Sequence, residues 1–466
     1  MTHKSNPFEA TMPDKNKSKA DRRKSEGTRK KASSPPPPPQ PRRERRALSH
    51  VGGAVRCLGP ATELYPVIEW ALKVSSDEKS VRDHVHGFHS YPARLHPVTA
   101  RRLIEKLSQP GDTILDPFCG SGTVLVEALL QGRDAVGIDL NPLACELARF
   151  KTKRTTAAER TEWMDAAERV SAYAEDRRQL RLGPTRTYLA HERAPYDPHI
   201  LFELDGLSAG IVEEPEAIRQ VLRLILSSIL TKVSRSLGDS SGKLGPRRLA
   251  SGFAIRAFLF KVKEVCRQSA QFAKLIPPGV GAQVVLTDAR RLTGVDPASI
   301  DLVVSSPPYP GVFDYLTHHS HRLHWLGLDA SQLARNEIGS RRQLGRMEPQ
   351  VALERWRGDF GAALRTLARV VKPKKPVALV IADSALGDFP LRTDQVVTEI
   401  AQAAGFELGA IGSQERPHFH DPTRRAFKGE PRYEHLLVLR RKPAMPVRII
   451  EVPSKKARSP SRSRSI

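Results

Sequence analysis

The segment 112–141 restricts the folds open to this chain more than any other part of the sequence. It predicts four successive pieces: an apolar strand at 112–115, a turn at 116–123, a helix at 124–130 and a strand at 135–138. A strand, a crossover helix and a second strand form a βαβ unit, whose strands are parallel. Parallel strands occur in sheets that helices cover on both faces, so the segment predicts an α/β fold.

Two glycines mark the turn of this unit as a place where a ligand can meet the backbone. Gly120 and Gly122 lack the Cβ atom that would block a close approach. Asp139 ends the second strand, where its carboxylate can accept hydrogen bonds from both hydroxyls of a ribose. The order Asp-Pro-Phe-Cys-Gly-Ser-Gly-Thr at 116–123 differs from the Gly-x-Gly-x-x-Gly pattern of dinucleotide sites. The turn therefore predicts a ribose-containing ligand other than a dinucleotide.

A second motif, Ser306-Pro307-Pro308-Tyr309, follows the apolar strand predicted at 300–304. Proline has no N–H, so the backbone carbonyls near it are left without local donors. Carbonyls, a hydroxyl and an aromatic face suit a planar group with an exocyclic amine. A turn with a tyrosine buried in the core is the alternative interpretation, and Pro-Pro-Tyr alone does not decide between the two.

Both motifs resemble those of one enzyme family. Residues 116–123 resemble the cofactor loop of the class I S-adenosylmethionine (AdoMet) methyltransferases. Residues 306–309 resemble the catalytic loop of the amino-methyltransferase branch, which modifies N4 of cytosine or N6 of adenine. Residues 88–94 are similar to the segment before the cofactor loop in many DNA members. The resemblance covers residues 84–150 and 281–442, and leaves 151–280 without a match.

The resemblance implies a fold and a cofactor. The fold is a Rossmann-like α/β sheet of seven strands with the last one antiparallel, and strands predicted at 283–287, 300–304, 377–382, 406–411 and 434–439 complete it. The cofactor is AdoMet, and eight residues are carried over as its contacts: Tyr91, Asp116, Phe118, Gly120, Gly122, Thr123, Asp139 and Asp288. The carboxylate of Asp288 is expected to accept from the adenine amine of AdoMet.

The same resemblance implies methyl transfer to an exocyclic amine, with Ser306, Pro307, Pro308 and Tyr309 as the catalytic residues. Serine before Pro-Pro is commoner in N4-cytosine enzymes, so N4 of cytosine in DNA is favoured over N6 of adenine. An RNA base is a further alternative. The chain has no Pro-Cys dipeptide, the nucleophile signature of C5-cytosine enzymes. A nucleic-acid-binding protein with a vestigial methyltransferase fold is the alternative without catalysis.

The domain organisation is predicted from shifts in composition. A basic, proline-rich tail expected to be disordered occupies 1–50, and a basic tail of the same kind occupies 446–466. The methyltransferase core is divided into 51–150 and 281–445 by a helical insertion at 151–280, with helices at 157–179, 214–235 and 251–275. The insertion is the candidate for target recognition, and a helical lid is the alternative. Its predicted nucleic-acid contacts are Lys232, Arg235, Lys243, Arg247 and Arg248.

Net charge and the number of cysteines limit the kinds of partner and metal site that are expected. A net charge of +24 and a pI of about 10.1 indicate a polyanionic partner. The four cysteines are far apart, and the histidines of 84–96 fit no common zinc pattern, so no metal is expected. No apolar run is long enough for a membrane span. The expected setting is the cytoplasm, at the nucleoid, with DNA as partner, RNA less favoured, and a cognate restriction endonuclease as a further candidate.

Overall fold

A computed structural model describes residues 53–74, 80–236, 244–246, 248–418 and 421–442, with the backbone alone at 421 and 422. The chain divides into a unit at 1–45, outside these ranges, and a unit at 46–466 that contains all of them. Both predicted tails therefore lie outside the described residues, as do Lys243 and Arg247. Within the described ranges, every helix is too short or too polar to cross a bilayer.

Helices and strands alternate along most of the described chain. The strands are β1 (Val55–Leu58), β2 (Thr113–Asp116), β3 (Asp134–Asp139), β4 (Ala282–Leu286), β5 (Leu302–Ser305), β6 (Pro376–Ala382), β7 (Ser384–Leu386), β8 (Phe389–Leu391), β9 (Phe406–Arg416) and β10 (Arg432–Arg441). The α-helices are α1 (Tyr65–Leu72), α2 (Pro97–Leu107), α3 (Thr123–Leu130), α4 (Pro142–Thr152), α5 (Ala157–Gln179), α6 (Ala190–Arg193), α7 (Pro198–Val212), α8 (Glu216–Ile229), α9 (Phe253–Leu275), α10 (Tyr315–Trp325), α11 (Ser331–Asn336), α12 (Arg341–Leu344), α13 (Pro349–Val370), α14 (Thr393–Ala403) and α15 (Asp421–Ala426).

Eight strands form one sheet in the order β1-β9-β10-β6-β5-β2-β3-β4. The strands from β4 to β6 are parallel, and β10 lies antiparallel between β6 and β9. The Rossmann-like α/β fold is therefore confirmed, with the seven predicted strands in place. The eighth strand, β1, pairs antiparallel with β9 at the edge of the sheet. Its four residues are too few for the sequence to show a clear alternation of apolar and polar positions.

Strand β5 lies near the middle of the sheet and shows why both faces need helices. Val304 points into the apolar cluster that contains Leu103 of α2, whereas Val303 points into the cluster that contains Trp356 of α13. Successive side chains of a strand face opposite sides, so a strand that is apolar at every position must be covered twice. All four residues of β5 are buried.

The region between β3 and β4 is helical, as predicted, and packs directly on the core. The helices predicted at 157–179, 214–235 and 251–275 correspond to α5, α8 and α9. Their apolar cluster also includes Phe150 of α4 and Trp325 of α10, so the region shares a hydrophobic core with the rest of its unit. Helix α7 was not predicted, because Gly206 and Gly210 lower its helix propensity.

The chain after β6 forms the hairpin β7–β8, whose strands pair antiparallel. Gly387 has a φ of +60°, a left-handed conformation that glycine adopts without steric cost in a tight turn. The strands of the hairpin have three residues each, so the sequence offers no periodic pattern that distinguishes them from a loop.

Two helical glycines allow a test of the packing of α7 on α5. A Cβ atom on Gly206 would lie 3.1 Å from Ala174 Cα, whereas one on Gly358 in α13 would have no neighbour within 4 Å. We expect Gly206→Ala to lower the free energy of unfolding by about 1–3 kcal/mol through overpacking. Gly358→Ala should raise it by up to about 1 kcal/mol through helix propensity. Urea denaturation measures both, and a stabilised Gly206→Ala variant would contradict the close contact of the helices.

Candidate active site

A pocket of about 850 Å³, including its open mouth, lies at the carboxyl ends of the parallel strands. The carboxyl ends of parallel strands meet at one edge of a sheet, and this is where open α/β folds bind ligands. Asp116 at the end of β2 and Asp139 at the end of β3 line the pocket, and so does Ser306 in the loop after β5. Nine of the predicted site residues line the pocket: Tyr91, Asp116, Phe118, Gly120, Thr123, Asp139, Asp288, Ser306 and Pro308.

The two glycines of the turn before α3 have different neighbours. Both have positive φ angles, +48° for Gly120 and +81° for Gly122. A Cβ atom on Gly120 would lie 3.2 Å from the ring of Tyr91, on the pocket wall. A Cβ atom on Gly122 would lie 3.0 Å from Ala148 Cβ of α4 instead. Gly120 thus lets the turn pack closely on the Tyr91 ring, and Gly122, which does not line the pocket, lets the turn pack on α4.

The carboxylate of Asp139 holds the turn at the end of β3. Its Oδ2 accepts from the backbone N–H of Gly120 at 2.8 Å, and its Oδ1 accepts from the N–H of Asn141 at 2.8 Å. Burial raises the pKa of Asp139 to about 6, although these hydrogen bonds oppose the shift. Each oxygen has a further lone pair, so the carboxylate can still accept from hydroxyl groups in the pocket.

The carboxylate of Asp116 connects the two predicted loops. Its Oδ1 accepts from the Ser305 hydroxyl at 2.7 Å and from the backbone N–H of Phe118 at 3.1 Å. Asp116 ends β2 and Ser305 ends β5, so the hydrogen bond joins the glycine turn to the Ser306 loop. Burial raises the pKa of Asp116 to about 7. The sequence did not indicate this role for Ser305.

The Ser306 loop has only part of its predicted residues on the pocket. Ser306 and Pro308 line it, whereas Pro307 is buried and Tyr309 packs against the apolar cluster around Trp356. The hydroxyls of Ser306 and Tyr309 are 3.3 Å apart. The Pro308 carbonyl accepts from Trp356 Nε1 at 3.4 Å, so it is not free as the sequence suggested.

The predicted adenine contact, Asp288, is already paired. Arg290 donates to both of its carboxylate oxygens, through Nη2 to Oδ2 at 2.6 Å and through Nε to Oδ1 at 3.0 Å. The same guanidinium donates to Asp359 Oδ1 and to the Asn336 carbonyl. Asp288 lies on the pocket wall, but most of its hydrogen-bonding capacity is directed at Arg290.

Several pocket residues were not predicted, and they come from the chain after the Ser306 loop. Tyr315 begins α10, and Glu337 follows α11. Tyr315 lies near Tyr91, with ring centroids 6.4 Å apart. The sequence offers no periodicity or motif for these positions, because only the chain's path after β5 brings them back to the pocket.

The histidines serve packing contacts inside the described region. His86 Nε2 lies 2.9 Å from Glu127 Oε1 with both side chains fully buried, and His96 Nδ1 accepts from the N–H of Val98 at the start of α2. On α10, His321 contacts the Tyr196 hydroxyl at 2.7 Å. These contacts hold segments together and leave each of the three histidines with a protein partner.

Among the described residues, one group has potential metal-ligand atoms within 4.8 Å of one another: Asp383, Asp394 and His435. Asp383 already accepts from His435 Nε2 at 3.1 Å and from Arg392 Nη1 at 2.8 Å. The backbone N–H groups of Thr393 and Tyr433 also donate to it. The cluster is thus explained as a network that fixes the ends of β6 and β10.

Three of the predicted nucleic-acid contacts, Lys232, Arg235 and Arg248, are described by the structure, and they are absent from the pocket wall. Lys232 Nζ lies 5.7 Å from the centroid of the Phe260 ring, and Arg235 pairs with Asp197 at 3.7 Å. Arg248 is exposed. The structure does not bring these three residues into the pocket, and their role in binding nucleic acid stays a prediction.

Comparison with known proteins identifies a matching family and several proteins of similar sequence. Residues 4–150 match the N6/N4 methylase family, described as DNA methylase. The chain is 35% identical over 88 residues to the Type II methyltransferase M.MjaII of Methanocaldococcus jannaschii, which is 19% of this chain and 17% of that protein. It is 25% identical over 297 residues to the Type II methyltransferase M.BsoBI of Geobacillus stearothermophilus, 56% of each chain. The chain thus spans about half the length of M.BsoBI and less of M.MjaII.

Two RNA-related proteins also share similarity. The tRNA (guanine(10)-N2)-dimethyltransferase of Methanothermobacter thermautotrophicus is 43% identical over 73 residues, 15% of this chain and 21% of that protein. The solved rRNA methyltransferase aviRa of Streptomyces viridochromogenes has a TM-score of 0.30 and 13% identity, covering 80% of this chain and 94% of that one.

The matches confirm the resemblance found in the sequence, and AdoMet is the cofactor that accompanies it. The pocket fits this molecule in two respects. Gly120 lines the pocket without a Cβ atom, so a ligand can approach its backbone, and Asp139 retains lone pairs for hydroxyl donors such as those of a ribose. Tyr91, Gly120 and Asp139 are the residues that would hold the cofactor, each by its predicted role.

The pKa of Asp139 gives a test of its contact with the cofactor. Because burial raises the pKa to about 6, the carboxylate is ionised above this pH and protonated below it. We expect AdoMet affinity to fall as the pH is lowered from 7.5 to 5.5, and the fall to be smaller in Asp139→Asn. At pH 7.5 the variant should bind about 10-fold more weakly, the typical effect of losing one charged hydrogen bond.

Titration calorimetry measures these affinities, and Asp388→Asn serves as the control. Asp388 is an exposed carboxylate in the turn of the β7–β8 hairpin. Equal affinities and equal pH dependence in the wild type and in Asp139→Asn would show that Asp139 does not bind the cofactor.

Proposed function

We propose that this chain, a member of the AdoMet-dependent amino-methyltransferases, transfers a methyl group to an exocyclic amine of a base in DNA. One observation supports this most: a hydrogen bond of 2.7 Å between Asp116 and Ser305 joins the glycine turn to the Ser306 loop. A cofactor loop and an acceptor loop at one pocket are what transfer between two bound molecules requires. N4 of cytosine is the favoured target, because serine precedes Pro-Pro at position 306.

The role of the Ser306 loop follows from the chemistry of the amine. AdoMet, when bound, supplies an electrophilic methyl group on a sulfonium. The amine lone pair is delocalised into the base, so hydrogen-bond acceptors at its two hydrogens favour the geometry of attack. If Ser306 donates its proton to Tyr309, 3.3 Å away, its oxygen retains two lone pairs to accept from the amine. The Pro307 carbonyl is the proposed second acceptor.

A base in duplex DNA must leave the stack to reach this pocket, because its amine is otherwise paired. Stacking of Tyr309 on the flipped base, as the motif predicts, requires its ring to leave the apolar cluster against which it packs. Stacking of a base on an aromatic side chain contributes about 1–3 kcal/mol to binding. This gain would offset the free energy lost when the Tyr309 ring leaves the cluster.

Three alternatives are open, and each has an observable signature. N6 of adenine uses the same loop chemistry, so only the methylated product distinguishes it. An RNA base is the second alternative, and the similarity to the tRNA dimethyltransferase over 15% of this chain supports it. A nucleic-acid-binding protein without activity would bind AdoMet and transfer nothing. The Type II relatives support a cognate restriction endonuclease as a proposed partner. The nucleoid of the cytoplasm is the proposed location, because the proposed substrate is DNA.

The Ser306→Ala variant tests the acceptor loop. We expect it to slow methyl transfer by about 100-fold or more, since it removes a hydrogen bond made to the reacting group. AdoMet affinity should stay within about two-fold. Labelled AdoMet and genomic DNA give the rate, and mass spectrometry of the nucleosides identifies N4-methylcytosine, N6-methyladenine or neither.

Ser320→Ala, at an exposed serine on α10, is the matched control. Equal loss of AdoMet affinity and of transfer in Ser306→Ala would mean that the loop binds the cofactor and not the acceptor. Transfer to RNA alone would replace DNA as the substrate.

The loop after α8 is the proposed contact with the DNA backbone. We expect Arg247→Ala with Arg248→Ala to weaken DNA binding and to reduce the salt dependence of the binding constant, by about one unit of slope for each phosphate that is no longer neutralised. Fluorescence anisotropy at several salt concentrations measures both. The control replaces Lys374 and Lys375, a basic pair just before β6, at the amino ends of the parallel strands and so away from the pocket at their carboxyl ends. Unchanged binding in the arginine variant would exclude this loop.

A further inference from the structure

Glu337 lies on a segment that packs against the Ser306 loop. The segment follows α11, and the carbonyl of Gly339 accepts from the N–H of Gly311 at 3.0 Å. A Cβ atom on Gly339 would lie 3.2 Å from the Tyr309 carbonyl oxygen, so glycine lets the two backbones approach. Glu337 is therefore positioned beside the loop that carries Ser306, and both residues line the pocket.

The two carboxylate oxygens of Glu337 differ in their contacts. Oε1 accepts from the backbone N–H of Tyr315 at 2.6 Å, at the start of α10. Oε2 is buried and has no hydrogen-bond partner among the described residues. The residue as a whole is only 7% exposed. Ser340 is near enough to lower the pKa of Glu337 slightly, but its single hydroxyl proton is donated to Asp314 Oδ1 at 2.7 Å, which leaves Oε2 without a donor.

A buried acceptor without a donor is costly, by about 1–3 kcal/mol for a neutral group and more for a charged one. The surroundings do not relieve this cost. Burial, and then the nearby Asp314, raise the pKa of Glu337 to about 7, although the Tyr315 N–H, Arg342 and Ser340 oppose the shift. A ligand that brings an N–H donor into the pocket would supply the missing partner.

Asp288, the other carboxylate expected to accept from an amine, has no oxygen left without a donor. Both oxygens of Asp288 receive hydrogen bonds from Arg290. Asn336, next to Glu337, receives a hydrogen bond from the same arginine through its carbonyl. Arg290 thus occupies Asp288 and fixes the segment that carries Glu337, while Glu337 Oε2 stays available.

We propose that Glu337 Oε2 accepts a hydrogen bond from an amine N–H of a ligand in the pocket. The amine belongs either to the methyl acceptor or to AdoMet, and the same chemistry serves both. The assignment to the methyl acceptor rests on the proposed function, whereas the assignment to AdoMet does not. Glu337 would thus bind a ligand in the pocket, although it lies outside the two sequence motifs that predicted this site.

Glu337→Gln tests the proposal with little change of shape. The amide oxygen can still accept from the N–H of Tyr315, whereas the amide nitrogen in place of Oε2 can only donate. Calorimetry with AdoMet and with S-adenosylhomocysteine measures the cofactor, and the transfer rate at saturating AdoMet measures the acceptor. Glu354→Gln, at a side chain 63% exposed on α13, is the control.

Each outcome separates the sources of the amine. A loss of about 10- to 100-fold in affinity for both cofactor forms assigns the hydrogen bond to AdoMet. Unchanged affinity with a comparable loss in transfer rate assigns it to the methyl acceptor. Affinity and rate both within two-fold of wild type overturn the proposal. If the wild type itself transfers no methyl group, the proposed function fails, and the calorimetry alone decides: unchanged affinity then overturns the role of Glu337.

Discussion

The hydrogen bond between Ser305 and Asp116 is the contact on which the pocket depends. Both side chains are buried, and they end adjacent parallel strands that are 189 residues apart in the chain. The same strands are joined at their other ends, where Asp301 Oδ2 accepts from the N–H of Thr113 at 3.2 Å. Strands β2 and β5 are thus held at both ends, and the loops that follow them open into one pocket at a fixed spacing.

Much of this arrangement could be predicted from the sequence, and the failures have physical reasons. Apolar runs predicted the seven strands, and the family resemblance, with its two loop motifs, supplied nine of the pocket residues. Short elements such as β1 and the β7–β8 hairpin carry too few residues for a periodic signal. Tyr315 and Glu337 have no local signature at all, because tertiary packing alone brings them to the pocket. The pairing of Asp288 with Arg290 likewise required side-chain geometry.

The helical region between β3 and β4 is joined to the pocket by a buried arginine. Arg322 on α10 donates to the Ser227 carbonyl and, at 2.9 Å, to Thr231 Oγ1, both at the end of α8. It also donates to Ser90 Oγ, next to Tyr91 on the pocket wall. A guanidinium has five N–H donors in a rigid plane, so one side chain can connect three segments. Arg322 therefore ties α8 and the turn after it to the segment of the pocket wall that contains Tyr91.

The long separation between β2 and β5 also has a consequence for biosynthesis. Ribosomes add about 5–20 residues per second, so β2 waits on the order of 10–40 s for its central neighbour to emerge. During this interval one edge of β2 has open N–H and C=O groups, and such edges pair readily with other chains. Helices α5, α7, α8 and α9 are made in the same interval. The order of elements along the chain thus makes these helices available for packing before the central neighbour of β2 has emerged.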